Sequence, residues 1–198
     1  MTGIVGVLLA AGRSARFGAH KLLAGMSDGE PVGLRAALHL TEALPDSVAV
    51  IRPGDHALSR LLSATGLAVI ENPGADSGIS GSIAAGVSAR RGADGWLVAL
   101  ADMPWIRPAT IRSVADALRA GAALAAPTFG GVRGHPVGFS ARWRPQLLSL
   151  SGDRGARDLI EKASAELLLV PTTDPGILKD IDVPSDLKSP NLAADCFL

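Results

Sequence analysis

The stretch Leu8-Leu-Ala-Ala-Gly-Arg-Ser-Ala-Arg-Phe-Gly-Ala-His-Lys-Leu-Leu23 passes from apolar strand material into a glycine-punctuated loop bearing three cations, Arg13, Arg16 and Lys21. Glycine lets a backbone turn tightly and aim its N–H groups at an anion, and the cations supply the charge that a polyphosphate would need. Lys21 is one of four lysines in an arginine-rich chain, and the other three lie beyond residue 160. A lysine is a compact charge that can be re-aimed as phosphate geometry changes. The loop is neither a P-loop nor a dinucleotide fingerprint, because five residues separate Gly12 from Gly18 and no G-x-G-x-x-G occurs. The alternative is a solvated turn whose charges face water.

Carboxylates form the second set. Asp102 follows an apolar strand in Leu100-Ala-Asp-Met-Pro104. It either ends the strand and caps a turn, or stands beside a triphosphate with a hard cation such as Mg²⁺ between the negative groups. In Lys179-Asp-Ile-Asp182, residues two apart on an extended strand share a face, so Asp180 and Asp182 look toward one side while Ile181 packs behind. The alternative is an edge strand kept soluble by charge. Ser82 stands near a helix start, where serine is a natural cap, and His135 lies in a glycine-flanked turn, Arg133-Gly-His-Pro-Val-Gly-Phe139. No Ser–His–Asp or Cys–His set is evident.

The elements that must position these groups alternate along the chain. Strands are expected at 4–10, 47–51, 67–70, 96–100, 122–126, 137–139, 166–170 and 178–183. Helices are expected at 31–43, 55–64, 80–90, from Pro108 onward, at 141–150 and at 155–163. The pattern predicts an α/β sandwich with a mostly parallel sheet, whose ligands gather at the carboxyl ends of its strands. The 198 residues suit one domain, 1–188, followed by a loose tail, 189–198. Apolar residues make up 47% of the chain, and the 19 basic residues balance the 19 acidic ones, which removes any bulk argument for nucleic acid or acidic membranes. The single Cys196 forms no internal disulfide and no prenylation box, and there is no metal-spaced Cys/His cluster. The amino terminus has no basic leader and its apolar run is too short to span a bilayer. A cytoplasmic protein is expected.

Leu9 to Lys21, as L-A-A-G-x-S-x-R-F-G-x-x-K, resembles the signature of the MobA-like nucleotidyltransferases, and specifically the molybdenum cofactor cytidylyltransferase branch. The resemblance continues through Asn72-Pro73, Gly78-Ile-Ser-Gly-Ser82, Ala101-Asp-Met-Pro104, Gly134-His-Pro-Val137, Gly152-Asp-Arg-Gly-Ala-Arg157 and Asp180 to Leu187, in order and over nearly the whole chain. It implies a Rossmann-like three-layer sandwich of the nucleotide-diphospho-sugar transferase type. It also implies transfer of CMP from CTP to the terminal phosphate of molybdopterin, with a molybdoenzyme or its chaperone as a further partner. By the same resemblance Ala10, Ala11, Gly12, Arg13, Arg16 and Lys21 bind the nucleotide, with Arg16 and Lys21 on the β and γ phosphates. Asp102 and Asp182 hold Mg²⁺, although the residues alone leave Asp180 open. Asn72, Gly78 and Ser82 hold the base or ribose, and His135, Asp153 and Arg157 face the acceptor; Asp153 read alone is equally an N-cap. Ala11 stands where the family tends to carry alanine with CTP and glycine with GTP. One methyl contributes about 1–3 kcal/mol of such discrimination. Guanylyl transfer, another phosphorylated acceptor, or a non-catalytic nucleotide-binding module are the alternatives. The segment Gly25 to Gly29 maps to no role.

Overall fold

The computed structural model describes residues 3–13 and 17–188. Arg16 and the tail with Cys196 therefore lie outside the described residues. Strand β1 (Ile4–Leu9) is buried along its whole length, as a continuous apolar run must be when both faces are covered. Val5, Val7 and Leu9 enter one apolar cluster and Ile4 and Leu8 the other, the two-residue period dividing the strand between two layers. In parallel with β1 run β2 (Val48–Ile51) and β4 (Gly95–Leu100), and β3 (Ala68–Glu71) lies parallel outside β2. Beyond β4 the direction alternates. There β7 (Val137–Ser140) runs antiparallel between β4 and β5 (Leu124–Phe129), β6 (Val132–Arg133) folds back on β5, and β8 (Leu167–Pro171) pairs with β5 in parallel. The sheet order is β3-β2-β1-β4-β7-β5-β6, with β8 beside β5.

Helices cover both faces. Helices α1 (Val32–Ala43), α2 (His56–Ser63) and α4 (Pro108–Arg119) send Leu40, Leu58, Leu62 and Val114 into one cluster. On the other face α3 (Ile79–Ala89), α5 (Arg144–Leu148) and α6 (Arg157–Lys162) contribute Ile83, Val87, Leu147 and Ile160. This is the expected three-layer α/β sandwich.

Two expectations change. The helix at 141–150 begins as a 3-10 turn, Ala141–Trp143, before α5. The strand at 178–183 does not form. A 3-10 turn, Pro175–Leu178, leads into an extended segment whose N–H groups find partners outside any ladder. Ile181 N donates to Asp102 O at 2.9 Å, and Asp182 N and Val183 N both donate to Asp186 Oδ2 at 2.9 Å. A carboxylate and a loop carbonyl take the place of a neighbouring strand.

Candidate functional site

The order β3-β2-β1-β4 means that successive crossovers leave β1 in opposite directions, which opens a crevice at the carboxyl ends of β1 and β4. A cleft of about 450 Å³ lies there. Its walls are Leu9 to Arg13 after β1, Arg52 after β2, Ala75, Asp76, Gly78, Ile79 and Ser82 around the start of α3, Leu100 and Asp102 after β4, and Lys21, Leu22 and Asp182.

Lys21 enters this cleft from a 3-10 turn, Lys21–Leu23, anchored by buried Leu22. His20 braces the turn, its Nε2 lying 2.6 Å from Asp55 Oδ2, while the other oxygen of Asp55 caps α2 by accepting from Leu58 N. Lys21 Nζ donates to Asp102 Oδ2 at 2.8 Å and to Ile181 O at 2.7 Å, and stands 3.6 Å from Asp182 Oδ1. Its side chain is only 11% exposed. Three oxygens from two distant segments thus converge on one ammonium.

Asp180 and Asp182 flank fully buried Ile181. The segment is no strand, and of the two acids expected to look toward one site only one reaches the cleft. Burial pushes the Asp180 carboxyl above its ordinary value, and the negative charges of Asp102 and Asp182 add to this. Asp182, not Asp180, lines the cleft. Two backbone N–H bonds hold the Asp186 carboxyl below its usual range and staple the segment in place. An all-oxygen set already gathered around a cation suits a hard divalent ion. Among the described residues no group of three His, Cys, Asp or Glu could hold a metal by itself, so phosphate oxygens or water would complete the shell.

On the β2 side, an Arg52 Nη donates to Ala11 O at 3.1 Å and the guanidinium pairs with Asp76, which Arg13 also grips at 2.7 Å. Arg52 and Asp76 were missed by sequence reasoning. The available signals were a charge directly after an apolar strand and an acid beside the Gly78 loop. Asn72 is buried and lies off the cleft wall. Its Nδ2 donates to Ser82 Oγ at 3.1 Å and its Oδ1 accepts from Gly74 N, so it braces Ser82 and the loop. Ser82 does not cap α3, whose N-cap is Gly78.

His135, Asp153 and Arg157 are not brought to the cleft wall. His135 N donates to Ile177 O at 3.1 Å, the His135–Pro136 peptide is cis, and Nδ1 is buried with no hydrogen-bond partner among the described residues. Burial pushes its imidazole down to about 4, with the Arg133 charge acting the same way and that of Asp102 opposing. Ala156 is the N-cap of α6, so Asp153 does not cap it, and exposed Arg157 has Nε 3.9 Å from Glu161 Oε1. The segment Gly25 to Gly29 also finds a place. Arg35 pairs with Asp28 and Glu30, and Ser27 N donates to Leu187 O at 3.3 Å, packing it against the turn after Asp182.

The family model of the MobA-like NTP transferase domain matches residues 6–167. Purine catabolism protein PucB of Bacillus subtilis (strain 168) is 30% identical over 201 residues, covering 92% of this chain and 93% of that protein. The structure of Rv0371c from Mycobacterium tuberculosis H37Rv is 27% identical with a TM-score of 0.77, over 93% of this chain and 95% of that one. Rv0371c has also been solved in complex with manganese. A nucleotidyl transferase from Methanothermobacter, Mth528, is 26% identical with a TM-score of 0.79, over 93% and 94% of the two chains. With the sheet order, the cleft and these likenesses in agreement, the chain belongs to the MobA-like family of nucleotidyltransferases, on a fold of the nucleotide-diphospho-sugar transferase type.

Proposed function

We propose that the chain transfers CMP from CTP to the terminal phosphate of a molybdopterin-type acceptor and releases pyrophosphate. The observation that carries this reading is the meeting of Lys21, Asp102 and Asp182 at a cleft that Ala11 also lines. A pyrimidine fits beside the Ala11 methyl where a purine is crowded, in keeping with the Leu9 to Lys21 motif. The acceptor phosphate has a second pKa of about 6, so it is largely deprotonated near neutral pH and needs no general base. Its oxygen attacks the α-phosphorus in line, the bond from that phosphorus to the bridging oxygen breaks, and pyrophosphate leaves. The chain contributes placement and charge. Lys21 turns from the carboxylates to the β and γ phosphates, joined by Arg16. Asp102 and Asp182 would hold Mg²⁺, which would offset charge on the phosphate oxygens. Arg13 and the Ala10-Ala11-Gly12 turn hold the nucleotide, with Gly78 and the Asn72-braced Ser82 on the base or ribose. His135, Asp153 and Arg157 serve the acceptor side, and a molybdoenzyme or its chaperone receives the product.

Pyrophosphate release by the purified protein, with each nucleoside triphosphate and with or without molybdopterin, tests the proposal. Release is expected only with CTP and acceptor together. Turnover with GTP in preference to CTP would overturn the cytidylyl reading, and CTP turnover on a different phosphate monoester alone would overturn the acceptor.

A further inference from the structure

The sheet order separates two chemistries along the cleft. Lys21 and Asp102 meet at the end of β4, whereas Arg52 follows β2, on the other side of β1. Adjacent strands lie about 4.8 Å apart, so the two ends stand roughly 10 Å from each other, about the span from phosphate to base in a nucleotide. At the β2 end Arg52 is tied to the Ala11 carbonyl and paired with Asp76, while Arg13 holds Asp76 from the first loop. All four residues line the cleft. A guanidinium that only donates and a carboxylate that only accepts therefore stand side by side, next to the methyl proposed to set base size.

We propose that Arg52 and Asp76 read the pyrimidine edge, taking a 4-amino pyrimidine and refusing a 4-oxo one, with Arg13 positioning Asp76; this rests on the CTP reading above. The Ala11 methyl cannot make that distinction, since cytosine and uracil have the same ring size. Cytosine presents a 4-amino donor to Asp76 and its N3 and O2 acceptors to Arg52. Uracil would set its O4 against the carboxylate and its N3–H against the guanidinium, acceptor facing acceptor and donor facing donor. Polar groups left mismatched in this way discriminate far more than a missing methylene does. Adenine shares cytosine's amino-and-acceptor pattern, so size and polarity must act together: Ala11 excludes the purines and the Arg52–Asp76 pair excludes uracil.

Calorimetric titration of CTP, UTP and GTP with Mn²⁺ into the wild-type protein, Asp76→Asn and Arg52→Gln tests this. The wild type is expected to favour CTP over UTP. Asp76→Asn, a near-isosteric change at an exposed position, is expected to lower that preference about tenfold, mainly by admitting UTP, because an amide can donate to O4. Arg52→Gln is expected to weaken both pyrimidines, since both carry O2. An unchanged CTP-to-UTP ratio in Asp76→Asn, with CTP still bound, overturns the base-reading pair and leaves the CTP reading intact. A wild type that prefers GTP overturns the CTP reading itself.

Discussion

At the scale of residues, Lys21 does what a cation between carboxylates would do, holding Asp102 and Asp182 around one positive charge. Lys21→Ala is expected to lower CMP transfer about 10²-fold, because a preorganised charge at the phosphates is lost. In the same variant, Mn²⁺ binding without nucleotide, read by electron paramagnetic resonance, should tighten as the oxygens lose their resident ammonium. Unaltered transfer in Lys21→Ala would contradict the proposed site. Asp102→Asn is expected to lose both metal binding and transfer; retained transfer would remove Asp102 from the reaction. His135 makes a separate prediction about pH. Its folded pKa of about 4 lies below the ordinary 6.5, so between those values the unfolded chain binds more protons and stability falls as pH falls. That difference, set mainly by burial with Arg133 adding to it and Asp102 opposing, corresponds to roughly 3 kcal/mol. Urea titrations of wild type and His135→Gln from pH 7 to pH 4 should show the loss flattened in the variant.

At the scale of elements, the site depends on how closely α3 approaches the sheet and the loop after α5. Gly86 faces Val7 of β1, and a Cβ there would collide with its side chain. Gly86→Ala is therefore expected to cost about 1–3 kcal/mol in denaturant titration, through overpacking between helix and sheet. Gly78 has φ of +107° and no room for a Cβ beside the Gly152 carbonyl. Gly78→Ala should shift the start of α3 and raise KM for CTP more than it lowers kcat, because it displaces the wall near Ser82. Element boundaries were legible where end chemistry is local, as at Asp55, whose side chain caps α2, and Pro108, at the first turn of α4. The segment 178–183 was not legible as coil. Its alternating apolar and acidic residues suit a strand, and only the bonds to Asp102 and Asp186 settle the matter.

At the scale of the whole molecule, among the described residues no helix is long and apolar enough to cross a membrane. Binding should be visible globally. CTP with Mn²⁺ at 100-fold its Kd stabilises a protein by about 2.7 kcal/mol, which for a chain of this size is a rise of roughly 5–10 °C in Tm. GTP at the same concentration should give a smaller shift, and chelation of the metal should remove most of the CTP effect. The amino-acid sequence by itself determined the layered α/β class, the carboxyl-end loops and most of the residues that line the cleft. Hydrophobic period and turn chemistry act over a few neighbouring positions and can be read there. Only the tertiary structure decided that β7 runs antiparallel, that Asp182 and not Asp180 reaches the cleft, that Arg52 and Asp76 share it, and that His135 stays off its wall. Lys21 meets Asp102 across 81 positions and Ile181 across 160. Contacts that distant depend on how the layers pack, and local pattern carries no record of them.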